Sequence, residues 1–378
     1  MFNSYRISHS SHLKVIRAPA HWTRLELFRQ KATPCEQKSH LVVNSPRITI
    51  RGGKINQNPE DIMNTFYKYL PDTFSLENHL SNPELKLSKI NRLNDPFEGK
   101  ISNQALSLVS HHMYEKIKVE FEGLDKIEIE RIFHESLNLI KDSICIASFS
   151  ETQRNLLMWS HYAAQHKGIC IGYDASMLTK EGKNHSFKKV NYDSILFDQE
   201  FLEEASGLIN EDFHSADMII DRLATTKSND WSYEKEHRYI SSCEHADKIK
   251  ILTPYDSLNP STKEAIIVAE ILKTHEIIKK EDCIECISNR TEEDLVDIEN
   301  SNFEVDIALA SEENTLILKS IEKKNIKKIY FGVFFDKARM QGVLNKIDSD
   351  PELKHISVYV NEIPGEGYEL KQNKIRPL

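Results

Sequence analysis

No run of apolar residues in this 378-residue chain is long enough to cross a bilayer. The longest runs, such as Ile266-Ile267-Val268-Ala269, meet charge well before the roughly 18 residues a membrane helix needs. The first residues mix Arg, His and Ser without the continuous apolar stretch of a secretory signal. A soluble cytoplasmic protein with no membrane partner is expected. Cysteine is scarce, six in all, and scattered through strand-like runs such as those holding Cys145 and Cys170. That pattern excludes a disulfide framework and suits reduced, buried thiols. Cys283 and Cys286 form the single CxxC, and nearby His275 is a poor second half for a zinc site, so the pair reads as a helix end packed in a core and no metal is expected. Internal repeats and low-complexity tracts are absent, and past residue 60 no stretch rich in Pro, Gly or Ser divides the chain.

What is present is a hydrophobic content of 39%, sufficient for a sizeable core, and a net charge of −9 that is unevenly spread. Residues 1–59 hold ten Lys and Arg against two Asp and Glu, a balance of +8, so the remainder carries −17. An acidic body argues against wholesale coating of nucleic acid, because phosphate contacts need clustered Lys and Arg. Residues 1–60, irregular and basic, read as an arm that either binds a protein or nucleic-acid partner or is an extension without function. Residues 61–378 read as a single domain of mixed α/β (α+β) class, interrupted by a helical, acidic insertion at about 255–312. A central mixed sheet, one clear β-α-β unit and several surrounding helices are expected.

The β-α-β unit spans 143–174. Ile144-Cys145-Ile146-Ala147 alternates like a strand, Ser150 and Gln153 make a capping box, a helix runs to about His166, Gly168 ends it, and Ile169 to Tyr173 resumes as strand. Further strands are expected at Thr65–Leu70, Leu85–Ile90, Tyr233–Ile240, Lys327–Val333 and His355–Val360. Helices are expected near Ser75–Leu80, over 103–142, over 197–226 and from about Lys337 to Ile347.

Three polar motifs carry the candidate chemistry. In Asn94-Asp95-Pro96-Phe97-Glu98-Gly99 the proline forces Asp95 out of the α region and makes a rigid turn. Such a turn can present a carboxylate, or simply connect two elements with Phe97 as its plug. In Met158-Trp159-Ser160-His161-Tyr162 the spacing puts Met158, His161, Tyr162 and Gln165 on one helix face. His161 has the free pKa of a general acid or base, but helical aromatics with a lone histidine also describe core packing. In Trp231-Ser232-Tyr233-Glu234-Lys235-Glu236-His237-Arg238 the alternation along a strand places Glu234, Glu236 and Arg238 on one face. Two carboxylates there can stabilise an oxocarbenium-like transition state while the guanidinium orients them or clamps a phosphate; the alternative is a solvated face of cross-strand ion pairs.

Through these motifs, with Tyr67-Lys68-Tyr69, Phe149-Ser150, the Lys167–Asp174 segment and Ile329-Tyr330-Phe331-Gly332, the chain resembles a bacterial family defined only as a domain of unknown function. The likeness runs from about Met63 to about Leu370, and the arm and the segment 255–312 depart from it. A looser resemblance joins the Tyr-x-Tyr strand, a strand bearing Ser88 and the Glu-x-Glu strand to the three-part signature of ADP-ribosyltransferases. It implies NAD as substrate, Lys68 and Tyr69 on the first strand and Ser88 on the second holding the nucleotide, Glu236 driving nicotinamide loss, and Glu234 activating the acceptor. Lys68 stands where those enzymes carry His or Arg. This likeness implies a glycosyl-transfer or glycosyl-cleaving enzyme on NAD or a nucleotide, a toxin-like effector in bacterial defence. A second expectation is a non-catalytic module in which Asn94, Asp95, Trp159 and His161 form a pocket for a nucleotide or partner. A third is a metal-dependent nuclease using Asp95, Glu98 and Glu234.

Overall fold

A computed structural model of the chain describes residues 65–117, 125–178, 186–207, 214–290 and 303–376; the basic arm expected over 1–60 lies outside the described residues. All described residues fall within one unit, Ile48–Leu378. In chain order the elements are β1 (Thr65–Leu70), α1 (Leu76–Ser81), β2 (Glu84–Lys89), α2 (Asn103–Ile117), α3 (Lys126–Ser143), β3 (Ile144–Ser150), α4 (Leu156–His161), β4 (Ile169–Asp174), β5 (Ser186–Lys189) and β6 (Asn191–Asp193). There follow α5 (Gln199–Gly207), α6 (His214–Thr225), β7 (Thr226–Ser228), β8 (Glu236–Ser242), β9 (Lys248–Ile251), α7 (Pro260–Leu272), β10 (His275–Lys279) and β11 (Ile284–Ser288). The chain closes with α8 (Phe303–Ser311), β12 (Thr315–Ser320), β13 (Ile326–Phe331), α9 (Lys337–Ser349), β14 (Ser357–Glu362) and β15 (Lys371–Arg376).

Among the described residues, thirteen strands form one sheet in the order β10-β11-β9-β12-β2-β3-β1-β4-β13-β14-β15, with β8 pairing β3 and β5 pairing β8. β13 and β14 are parallel while the other pairs in this sheet are antiparallel, so the expected mixed α+β architecture is the one the chain adopts. In the β-α-β unit β1 lies between β3 and β4 and runs antiparallel to both, which makes β3 and β4 parallel to each other.

The sheet forks at β3. One edge of β3 pairs along its whole length with β8, from Ile144↔Ser242 to Ser150↔Glu236. The other edge is shared: β2 takes Cys145 and Ile146, while β1 takes only Ser150, opposite Tyr67. If both registers continued, Lys86 of β2 and Tyr69 of β1 would each stand opposite Ser148. Two strands cannot occupy one edge, so β1 and β2 part and leave an opening beside the middle of β3.

On one side of the sheet alternate residues such as Phe66, Ala147, Phe149, Ile169, Ile171 and Tyr173 join α1, α7, α8 and α9 in the main core. On the other side Tyr67, Tyr69, Cys170 and Tyr330 pack with Met158 and Trp159 of α4. Trp159 is fully buried and edge-on to Tyr69, with ring centroids 5.3 Å apart.

Several local expectations are corrected. α4 stops at His161 rather than His166, because Ala164, Gln165 and His166 take positive φ of 46°, 54° and 68°. Gln165 therefore leaves the helix face assigned to it. The helix is capped by Asn155, whose Oδ1 accepts from the amides of Leu157 and Met158, and not by Ser150 with Gln153. This turn brings the chain back tightly onto β4. A Cβ on Gly168 would sit 2.2 Å from the Leu70 carbonyl oxygen, and one on Gly332 would sit 2.2 Å from that of His166. The strand expected from Tyr233 begins only at Glu236, since residues 229–234 form a 3₁₀ turn ending in left-handed Lys235 at φ 46°. The segment 255–312 contributes two strands besides its helices: β10 and β11 form a hairpin that pairs β9. Cys283 and Cys286 lie in that hairpin rather than at a helix end, and both are buried and free. Strands β5, β6, β7, β9, β12 and β15 correspond to no expected element.

Candidate functional site

The opening at the fork is a cavity of about 190 Å³, and all three motifs reach it. Because β1, β2, β3 and β8 are in register there, Tyr67 and Tyr69, Lys86 and Ser88, Ser148 and Ser150, and Glu236 and Arg238 all face the same side of the sheet. Each of these side chains lines the cavity, together with Lys68, Asn94, Glu98, Met158, Tyr162, Lys227 and Glu234.

Arg238 is the hub. It is 1% exposed, and its Nε and Nη2 donate to the two oxygens of Glu236 at 2.8 and 3.1 Å. Nη2 also donates to Glu98 Oε1, and Nη1 donates to the Ala224 carbonyl at 2.9 Å. A guanidinium so fully engaged orients carboxylates and has no free edge for a phosphate, which decides between the two roles open to it in the sequence. Lys227, also buried, bridges the third carboxylate: its Nζ lies 2.8 Å from Glu234 Oε2 and 3.6 Å from Glu236 Oε2. The Tyr162 hydroxyl donates to Glu234 Oε1 and receives Asn94 Nδ2 at 2.5 Å. One tyrosine thus ties the three motifs together, and the Glu98–Arg238 pair joins the first and third of them a second time.

Glu234 reaches this place by a route the alternation did not foresee. It sits on the 3₁₀ turn, not on the strand, and the left-handed Lys235 re-aims it toward Glu236. The turn is held by Ser150 Oγ donating to the Glu234 carbonyl at 2.7 Å and by Asn155 Nδ2 donating to the Tyr233 carbonyl at 2.5 Å. A solvated strand face is excluded, since Glu234 and Glu236 are 4% and 3% exposed.

Burial and neighbours push two carboxylates in opposite directions. Burial raises Glu98 above the ordinary carboxylate range, and the pull of Arg238 does not cancel it; its Oε2 is buried and takes no hydrogen bond among the described residues. Burial acts the same way on Glu236, but Arg238, Lys227 and the Ser148 hydroxyl outweigh it and hold the carboxyl below that range. Burial lowers the Lys68 amine to about 8, with Glu236 opposing and Lys86 reinforcing the drop. That amine donates to the Ser148 carbonyl at 2.9 Å, at the part of β3 that neither β1 nor β2 covers. Burial first, then the bond to Glu234, raises the Tyr162 hydroxyl.

The expected residues therefore separate. Lys68, Tyr69, Ser88, Asn94, Glu234, Glu236 and Arg238 line the cavity; Asp95, Trp159 and His161 do not. Asp95 is buried and accepts from the Phe97 amide at 2.9 Å, so it shapes the turn. Trp159 donates its indole N–H to the Gln153 carbonyl at 2.8 Å and belongs to the core. His161 is exposed, its Nδ1 3.1 Å from the Tyr233 hydroxyl. Phe97, 69% exposed, plugs nothing. Tyr69 presents its ring to the cavity while its hydroxyl donates to the Thr152 carbonyl at 2.8 Å. Lys227 was not anticipated; it stands outside every motif, and no local pattern marks it. Glu98 and Tyr162 were inside motifs without a leading role. Among the described residues no group of three or more His, Cys, Asp and Glu is placed to hold a metal, and Asp95, Glu98 and Glu234 form no such group. No helix among them is long and apolar enough to cross a membrane.

Comparison with curated proteins and with solved structures gave no match. Residues 158–239, which carry α4, the Glu234 turn and the start of β8, match the family model described as protein of unknown function (DUF2971), and the resemblance to a family without assigned activity stands on that segment.

Proposed function

We propose that the fork cavity binds the sugar end of a nucleotide, NAD being the leading candidate, and cleaves or transfers its glycosyl bond. The observation that carries this reading is the pair Glu98 and Glu236: two carboxylates on one guanidinium, pushed apart in proton affinity, facing one cavity. Such a pair supplies an acid and a base from identical side chains. Glu236, held ionised, stabilises positive charge developing at the anomeric carbon; Glu98, its proton affinity raised by burial, donates to a departing purine or pyrimidine base, whereas nicotinamide leaves NAD neutral and takes no proton. Glu234, shared by Lys227 and Tyr162, sits where an acceptor or water would enter. The cavity volume suits one sugar or nicotinamide ring, below the roughly 300–1,000 Å³ of sites that enclose a whole drug-sized ligand, so the rest of the nucleotide lies outside it.

Purified protein incubated with NAD, and separately with nucleoside monophosphates, is expected to release nicotinamide or free base. E236Q should slow that release by about 10²-fold or more, judged on protein shown to be folded by circular dichroism. Wild-type protein that releases nothing from any of them sinks the reading. The near-complete burial of Glu234 and Glu236 favours a second reading, a nucleotide-binding module without turnover. Calorimetric binding of NAD with no product formed would select it.

A further inference from the structure

We propose that Lys68 is the covalent nucleophile of the fork cavity, attacking the anomeric carbon of a ribosyl group and holding the opened sugar as an imine until water releases it. This role rests on the glycosyl reading above and goes beyond it. Lys68 has three properties that a holding cation would not need. Lys68 is half-buried in the lining of the cavity, and its amine, 5.1 Å over the Phe149 ring, is bonded to a neutral acceptor, the Ser148 carbonyl, instead of a carboxylate. The carboxylates around it are engaged elsewhere: Glu236 and Glu98 by Arg238, Glu234 by Lys227 and Tyr162. Exposed Lys86, on the same lip and without an ion-pair partner among the described residues, is available for the anionic group of the substrate.

With its amine at about 8, against an ordinary value of 10.5, Lys68 holds on the order of a hundredfold more neutral amine near neutral pH than a surface lysine. The groups facing it are Glu236 on β8, which opposes this drop, and Lys86 on β2, which reinforces it.

For a purine or pyrimidine nucleotide the bond from the anomeric carbon to the base nitrogen breaks, and the base leaves with the proton of Glu98; nicotinamide would leave without one, and the last proton would then go to water. The Lys68 nitrogen bonds to the anomeric carbon and passes a proton to Glu236. The ring C–O bond then opens, the ring oxygen takes that proton back from Glu236, and the nitrogen lone pair closes the C=N bond. Water adds to the imine carbon and releases an aldehyde sugar, and the proton left on Lys68 returns to Glu98. The net change is hydrolysis of the glycosyl bond.

The test uses the full chain with ribose 5-phosphate as probe and sodium cyanoborohydride as trap, which turns an imine into a stable secondary amine located by peptide mass spectrometry. At neutral pH the adduct is expected on Lys68 at least about tenfold ahead of exposed lysines such as Lys324 and Lys354. K86A should raise the probe concentration required several-fold. K68R keeps the charge but forms no imine, and should lose trapping and base release together. Labelling confined to surface lysines, or a K68R protein that still releases base, overturns the inference. Base release by wild type without a Lys68 adduct overturns it too, and leaves the glycosyl reading intact. A Lys68 adduct with no release from any nucleotide instead overturns the glycosyl reading, and this catalytic role with it.

Discussion

Arg238 shows what one buried residue commits a site to. Its guanidinium faces two carboxylates and a carbonyl with no water-exposed edge, so removing it strands Glu236 and Glu98 in the interior. R238M is expected to cost about 3–5 kcal/mol in urea unfolding, as truncation of one partner of a buried ion pair does. A loss below about 1 kcal/mol would mean that the cluster is wetter than its burial implies. His79 gives a second residue-scale expectation. It is 6% exposed, its Nε2 lies 3.0 Å from the Tyr173 hydroxyl, and burial pushes its imidazole down from 6.5 to about 4. A depressed folded value means stability that is complete above pH 6.5 and is lost as pH falls toward 4. The difference amounts to on the order of 3 kcal/mol. H79Q, which keeps a polar partner for Tyr173, should flatten the decline measured between pH 7 and pH 4.5; an unchanged decline would assign it to other groups.

At the scale of elements, the Glu234 turn and the return from α4 to β4 place the motifs, and both depend on backbone conformations that ordinary residues resist. Lys235 occupies the left-handed region and its carbonyl accepts from the Glu151 amide at 3.1 Å. K235G should therefore be neutral or stabilising by up to about 1 kcal/mol, whereas K235V should cost about 1–2 kcal/mol and move Glu234. Thermal unfolding separates the two variants, and equal losses in both would show that the side chain, not the backbone, matters there. Gly168 is the tighter constraint. The added methyl of G168A meets the backbone of β1 at 2.2 Å, so about 3 kcal/mol or more is expected to be lost.

For the whole molecule, the fork at β3 is the decisive feature. It joins two runs of the sheet, β12 to β10 beyond β2 and β4 to β15 beyond β1, and leaves a place where polar side chains from four strands meet around a void. Among the described residues the fold buries every thiol: Cys145, Cys170, Cys243, Cys283 and Cys286 are all free and buried. These five should react with a thiol reagent only after denaturant is added, and rapid native labelling of any of them would contradict the packing.

Alternation and apolar runs were enough to mark β1 to β4, β13 and α9, because a strand buried on one or both faces must declare its period locally. The polar motifs were legible for the same reason, since Asn94, Glu98, Tyr162, Glu234, Glu236 and Arg238 are close in sequence to strong turn or strand signals. Local pattern could not see the left-handed Lys235, which moved Glu234 from strand to turn. Nor could it foresee the loss of the last turn of α4, or the part in the cluster of Lys227, which no motif announces. Those depend on contacts between residues far apart in the chain: the carbonyl of Leu70 against Gly168, the carboxylate of Glu98 on Arg238, and two strands competing for one edge of β3. The sequence by itself determined the class of fold and which polar residues were available. Only the tertiary structure decided that they share one cavity, because proximity across 140 residues is set by sheet register, and register is a property of strand pairs rather than of either strand alone.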